Sequence, residues 1–498
     1  MAQAGQKGDR YDVIVVGAGN AAFAAALSAR DNGAQSVAVL EKADKAARGG
    51  NTRFSGGLFR FAYDSVDQIL AVCPEAKNLD GFMEGIEPYP AAAFRADLDR
   101  MTGGRSDKEL SEVLIANSYD TVAWMVKLGH HLEPAVSLGG VVVDGKIKWP
   151  KGAVIRTVHE GVGLSESWFR IAEQHKVEIL YEHGATALIQ DDNGRVIGVR
   201  VKTPHGIKEL MAGGVVLACG GFEANSAMRG QYLGKPWDHA KVRGTRHNQG
   251  DGIRMAVEAG ALPVGQYTGC HATPISADAP EYGIIELTDK TNRLSYPYGV
   301  MINRDGVRFI DEAPDFQFFT YAKYGGVILN QPGGVAYQIF DQKVVHLLEK
   351  RYNTSVPITA DSLDALIDKL PVNRDIAKQT LRDYNAAAGH GSFNPGILDN
   401  MHTKGLQPPK SNWANKLDKP PFVCYPCTGG ITFSFGGLKI DTEGRVLDTG
   451  WRPIPGLYCA GEMVGNLFHD NYPGGSGLPS GAVFGRIAGR SAARRINT

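Results

Sequence analysis

Gly17, Gly19 and Ala22 are spaced Gly-x-Gly-x-x-Ala directly after the apolar run YDVIVV. Between a buried strand and a helix, that spacing suits a dinucleotide. Gly17 allows a tight turn, Gly19 lets a pyrophosphate approach the backbone, and Ala22 permits close packing of helix on sheet. The helix opens at Asn20 and Ala21, and its N-terminal N–H groups favour negative charge. Glu41, followed by Lys42, ends the next apolar run, SVAVLEK, where an acid can bind ribose hydroxyls. By itself the motif fits NAD and FAD equally.

These residues need particular elements around them. Residues 11–17 read as a buried strand, 18–33 as a helix and 36–42 as a second buried strand, which together make a βαβ unit with parallel pairing. Helical patterns follow at 107–129 and 163–175. A meander then carries turn signals at Asp192-Asn193-Gly194 and His205-Gly206 and ends on the buried strand GVVLACGG, 214–221. From about 265 the chain has more aromatic and proline residues, with helical segments near 342–351, 361–369 and 373–388. Buried-strand character returns at GLYCAG, 456–461. The expected fold is α/β: a Rossmann-like domain formed by both chain ends, 1–266 and 429–498, with an α+β capping domain, 267–428, inserted between them.

Glycine is abundant, at 62 of 498 residues, and clusters at 17–19, 49–57, 213–221, 429–437 and 474–481. Such clusters fit a large cofactor gripped through backbone. Acids and bases cancel at 53 each, which argues against nucleic acid as a partner. No apolar run approaches the ~18–20 residues that cross a bilayer, and MAQAGQKGDR has no signal-peptide character, so a cytoplasmic location is expected. Cys219 and Cys459 lie in apolar runs and read as core. Cys424 and Cys427 form a lone CxxC without the partners that a metal or redox site needs, so no metal is expected.

Further segments fall in a telling order. Gly49-Gly50-Asn51-Thr52-Arg53-Phe54-Ser55-Gly56-Gly57 follows Glu41 closely, then come GVVLACGG, IPGLYCAGE and NYPGGSGLPSGAVFGRIAGRSAA. In that order they resemble the fumarate reductase and succinate dehydrogenase flavoprotein superfamily over the whole chain. The resemblance implies FAD. Gly17, Gly19 and Ala22 would meet its pyrophosphate and Glu41 its adenosine ribose. The segment containing Gly49, Gly50, Asn51, Thr52, Ser55, Gly56 and Gly57 would lie beside the flavin. Ala187 would sit at the adenine edge, Gly220 and Gly221 would form the second glycine pair, and Asp251 would be the acid of GDG. Gly461 and Glu462, in AGE, would approach the ribitol, and Ser476, Gly477 and Leu478 would open the last helix at the isoalloxazine. The stretch ARGGNTR lacks the histidine that succinate dehydrogenases join to FAD, so the cofactor should be non-covalent.

The substrate side departs from fumarate reductases. His271, in TGCHATP, matches one histidine of that pattern. Thr432 or Phe433 replaces another, Tyr472 replaces an arginine, and Phe316 and Gln317 stand where the proton-donating arginine is expected. Tyr-Pro-Gly at 472–474 is shared with ketosteroid dehydrogenases. NYPGGSGL, HNQGDG, YAKYGG and ITFSFGG resemble most closely the FAD-dependent tricarballylate dehydrogenases.

The implied chemistry is removal or addition of two hydrogens across a CH–CH bond next to a carboxylate or carbonyl, with flavin N5 taking the hydride. Tyr472 is the expected oxyanion donor, and His271 a substrate ligand or proton shuttle. Tyr298 and Tyr321 are candidate bases, and Arg246 and Arg293 candidate carboxylate partners. A tricarballylate-like polycarboxylate is the expected substrate. The alternatives are a ketone desaturase or ene-reductase of ketosteroid dehydrogenase type, or a flavin redox protein without a small substrate. An electron acceptor, with a membrane redox partner among the candidates, completes the expected set.

Overall fold

The structure is a computed structural model that describes residues 9–136, 140–143, 146–148 and 152–494. The strand Arg10–Val16 pairs in parallel with Val37–Leu40 on one side and Gly206–Leu217 on the other. Glu178–Leu180 extends the sheet past Val37–Leu40, and Pro453–Cys459 extends it past Gly206–Leu217, both in parallel. The sheet therefore joins chain ends more than 400 residues apart, as expected. Val13, Ile14 and Val15 are fully buried, because helices cover both faces of a parallel sheet. Gly184–Gln190 and Val196–Thr203 form the expected antiparallel meander against Gly206–Leu217.

The helix Asn20–Asp31 packs on the C-terminal helix Gly477–Arg494. A Cβ at Gly485 would lie 2.3 Å from the Ala21 carbonyl oxygen, and one at Gly489 would lie 2.0 Å from that of Ala25. The two backbones touch, so the alanine-rich face of one helix demands glycines on the other. Ala22 is fully buried here and faces packing, not the cavity described below.

A second sheet centres on the long strand Phe422–Leu438. Pro263–Ser276, Val335–Phe340 and Ile358–Ala360 pair with it antiparallel, and Lys241–Val242 pairs in parallel. Residues 266/267 and 428/429, the boundaries read from composition, fall inside two of these strands. Leu363–Asp368 and Arg374–Ala387 are helices close to the expected spans. The segment 342–351 is not a helix. It breaks into short turns at Val345–Leu347 and Lys350–Thr354, which draw Glu349 and Arg351 into a buried ion-pair network.

Candidate active site

One elongated cavity opens at the C-terminal ends of the parallel strands, where the chain leaves Arg10–Val16 to opposite sides. Dinucleotides bind at such a switch point. At its centre Gly17 has φ +106°, and a Cβ there would stand 2.3 Å from the Ala218 carbonyl oxygen, so no other residue fits. Gly19 caps the helix Asn20–Asp31 without any side-chain capping bond, which leaves the helix N-terminus open to an anion. Thr52 Oγ1 accepts from Asn20 N at 2.8 Å, and Asn20 Nδ2 donates to the Leu478 carbonyl at 2.8 Å. The two glycine-rich segments and the last helix are thus tied together around the pyrophosphate position.

At one end, buried Glu41 accepts from Ala43 N at 2.8 Å and Gly49 N at 3.1 Å; burial pushes its carboxyl above the usual range. Lys42 and Asp251 form an exposed ion pair at 2.7 Å across the mouth. His183 and Ala185 line this end, whereas Ala187, two residues further along the same strand, does not. Gly50, Asn51, Thr52, Ser55, Gly56, Gly220, Gly461, Gly477 and Leu478 line the cavity. Gly49, Gly57, Gly221 and Ser476 lie behind its wall, and the Ser476 hydroxyl is spent on the Pro473 carbonyl at 2.6 Å. Cys219, expected in the core, lines the cavity instead.

Asn51 is a hub. Its Nδ2 donates to Glu223 Oε1 at 2.6 Å and to the Thr432 carbonyl at 2.7 Å, and its Oδ1 accepts from Thr245 N at 2.8 Å. Glu223 is fully buried; burial and neighbouring Glu462 hold its carboxyl well above the ordinary range. Glu462, on the cavity wall, accepts from Ser434 N at 2.7 Å and from Ser434 Oγ at 3.1 Å. Sequence reading found Glu462 but missed Glu223, which follows the second glycine pair by two residues.

The opposite end is aromatic. Tyr321 and Tyr472 both line it and their hydroxyls hydrogen-bond each other. Phe318, Phe433 and Phe468 also line the cavity. His271 lies just behind, 1% exposed, stacked on Phe433 at 4.9 Å and edge-on to Tyr321 and Tyr472 at 5.0 Å each. Neither of its ring nitrogens has a partner among the described residues. Burial, with Arg243 nearby, pushes its pKa well below the ordinary value, so the ring is neutral and supports the aromatic cluster. Burial and Tyr321 push the Tyr472 phenol well above its usual range, which keeps it a neutral donor.

Three expected substrate residues are elsewhere. Tyr298 packs on Phe393 and Trp413 in a separate apolar cluster. Arg246 is exposed and does not line the cavity. Arg293 is fully buried and does not line the cavity; its two Nη atoms donate to the carbonyls of Thr291, Asn292 and Arg351 and to the hydroxyls of Thr354 and Ser355. The arginines that reach the cavity are Arg243 and Arg351. Only the short parallel strand Lys241–Val242, which aims Arg243 inward, distinguishes it from Arg246.

The cavity's open helix N-terminus, glycine cradle and buried acid fit FAD: Gly17 to Ala21 would hold its pyrophosphate and Glu41 its ribose. The FAD binding domain family matches residues 12–478. A fumarate reductase (cytochrome) of Shewanella frigidimarina is 30% identical over 98% of this chain and 77% of its own length. The open conformation of a flavocytochrome c3 fumarate reductase superposes with a TM-score of 0.74 at 26% identity, covering 98% of this chain and 79% of that one. A 3-ketosteroid delta1-dehydrogenase from Sterolibacterium denitrificans shares the fold, with a TM-score of 0.72 at 23% identity, over 98% of this chain and 100% of its own. No helix of the described residues is long and apolar enough to cross a membrane. The chain belongs to the FAD binding domain family and is an FAD-dependent oxidoreductase of the fumarate reductase and succinate dehydrogenase superfamily, acting on CH–CH bonds.

Proposed function

We propose that the protein oxidises, or in reverse reduces, a CH–CH bond adjacent to the carboxylate or carbonyl of a small molecule held between the flavin and the Tyr321–Tyr472 pair. That hydroxyl pair, set at the far end of the cavity from the nucleotide-binding glycines, carries the reading. FAD, when bound non-covalently, supplies the hydride acceptor. The chain's residues do the rest. The pair holds two protons; one bridges the two oxygens and the other is free to hydrogen-bond a substrate oxygen on which negative charge develops. Phe318, Phe433 and Phe468 exclude water from that point, which strengthens the donor.

Residues 267–428 act as a cap over the 1–266 and 429–498 unit in this reading, carrying Phe318 and Tyr321 to the cavity. The cytoplasm is the compartment that suits six free cysteines. The electron acceptor is a separate redox partner.

The resemblance to tricarballylate dehydrogenases suggests a polycarboxylate, and the same tyrosine pair suits a ketone as the second reading. Anaerobic mixing separates them. Saturated polycarboxylates, saturated monocarboxylates and cyclic ketones are tested for bleaching of the oxidised flavin band, and their unsaturated partners for reoxidation of the reduced enzyme. Response to none of these classes would overturn the function and leave a redox protein without a small substrate.

A further inference from the structure

Arg243 is 8% exposed and lines the aromatic end of the cavity. Its Nε donates to Thr432 Oγ1 at 3.0 Å, and its Nη1 donates to the Phe54 carbonyl at 3.2 Å. Both acceptors are neutral. Among the described residues no carboxylate forms an ion pair with it. The acid that acts on it most, Asp289, is already paired with Arg351. Arg60, fully buried, pairs with Asp97 at 3.5 Å. Arg308 pairs with Glu312, and Arg351 with Asp289 and Glu349. Arg229 and Arg293 also have no ion pair with a carboxylate among the described residues, but each is wrapped by several backbone carbonyls and neither lines the cavity.

A buried cation without an anion is costly, and it calls for one from outside. The charge of Arg243 acts on His271, Tyr321 and Tyr472, so it sits at the substrate end and not at the nucleotide end. The lining there also includes Phe318, Phe433 and Phe468, the neutral Asn292 and Thr432, and the paired Asp289 and Arg351, with no further unpaired cation among the described lining residues. A planar guanidinium matches a carboxylate.

We infer that Arg243 anchors the substrate's carboxylate, and that the site selects acids bearing a single carboxylate whose remainder is neutral and apolar. Arg351 also lines the cavity, but Asp289 and Glu349 offset its charge. A second or third carboxylate would therefore meet phenyl rings or the Asp289 carboxylate without compensation. The inference rests on the CH–CH reading of the site and narrows its substrate to a class.

Equilibrium binding by calorimetry to the FAD-loaded enzyme tests it, using cinnamate, its neutral isostere cinnamamide, succinate and tricarballylate as probes. Cinnamate should bind at least tenfold more tightly than the other three. Arg243→Gln should abolish that preference over the amide while leaving FAD content and the flavin midpoint potential unchanged, and Arg243→Lys should restore part of it. Tighter binding of succinate or tricarballylate than of cinnamate overturns the proposal. So does an Arg243→Gln variant that keeps its cinnamate affinity, or one in which only the potential moves, which would make the flavin the partner of Arg243. If the variant loses FAD, the parent's order of preference decides alone. The two readings fail separately. Arg243-dependent binding without any flavin turnover would sink the CH–CH function and spare the anchor, whereas turnover of a polycarboxylate would do the reverse.

Discussion

Tyr472→Phe removes one oxygen atom from the aromatic end of the cavity and keeps the ring. That ring is held at 5.0 Å from His271, 5.3 Å from Phe433 and 5.3 Å from Phe468, so packing survives the change. What is lost is the bond to Tyr321 and one of two donatable protons. Were the hydroxyl only a neutral internal bond, its loss would cost about 0.5–1.5 kcal/mol, or roughly 2- to 13-fold in rate. Were it part of the donor set for a developing oxyanion, the cost would be about 2.7–4 kcal/mol, or roughly 100- to 900-fold. These ranges do not overlap. The site is buried and the phenol is held neutral, so we expect the larger loss, with FAD content unchanged. Single-turnover flavin bleaching in a rapid-mixing spectrophotometer isolates this step from reoxidation. Tyr321→Phe should behave alike, and the double variant should lose less than the two losses added together, because the hydroxyls act as a unit. A Tyr472→Phe enzyme within about 13-fold of the parent would assign the hydroxyl to packing and remove the pair from the chemistry.

Heat or acid precipitation should release yellow flavin into the supernatant; colour retained in the pellet would show a covalent link. Gly17→Ala places a methyl group 2.3 Å from the Ala218 carbonyl oxygen in a backbone conformation that alanine avoids, so the variant should purify largely without flavin, as read by the ratio of visible to ultraviolet absorbance. The Glu223 carboxyl is raised above its ordinary value of 4.5 in the folded protein, so the stability it contributes is full below that pH and is lost as pH rises through the folded value. Glu223→Gln should therefore flatten the decline of melting temperature toward alkaline pH; an unchanged pH profile would mean that Glu223 is ionised.

The cofactor-binding half of the molecule was legible in the chain because its requirements are local. Gly17 must turn with positive φ, Gly19 must open a helix, and Glu41 must end the next strand; each need is met within a few neighbouring residues. The pairing of Leu217 with Cys459, and hence a sheet built from both ends, followed from short apolar β-branched runs that are stable only when buried on both faces. The substrate half was not legible, because a side chain's direction there depends on strands that meet from distant parts of the chain. Arg243, Arg246 and Arg293 look alike as letters. Pairing of Lys241 with Gly430 and of Val242 with Ile431 aims the first into the cavity, a turn leaves the second in solvent, and backbone carbonyls consume the third. His271 reads as a substrate ligand or proton shuttle, but its register opposite Phe433 in a packed sheet buries and neutralises it. Local backbone geometry is written in short motifs, whereas charge compensation and burial are sums over the whole fold, and only the tertiary structure performs those sums.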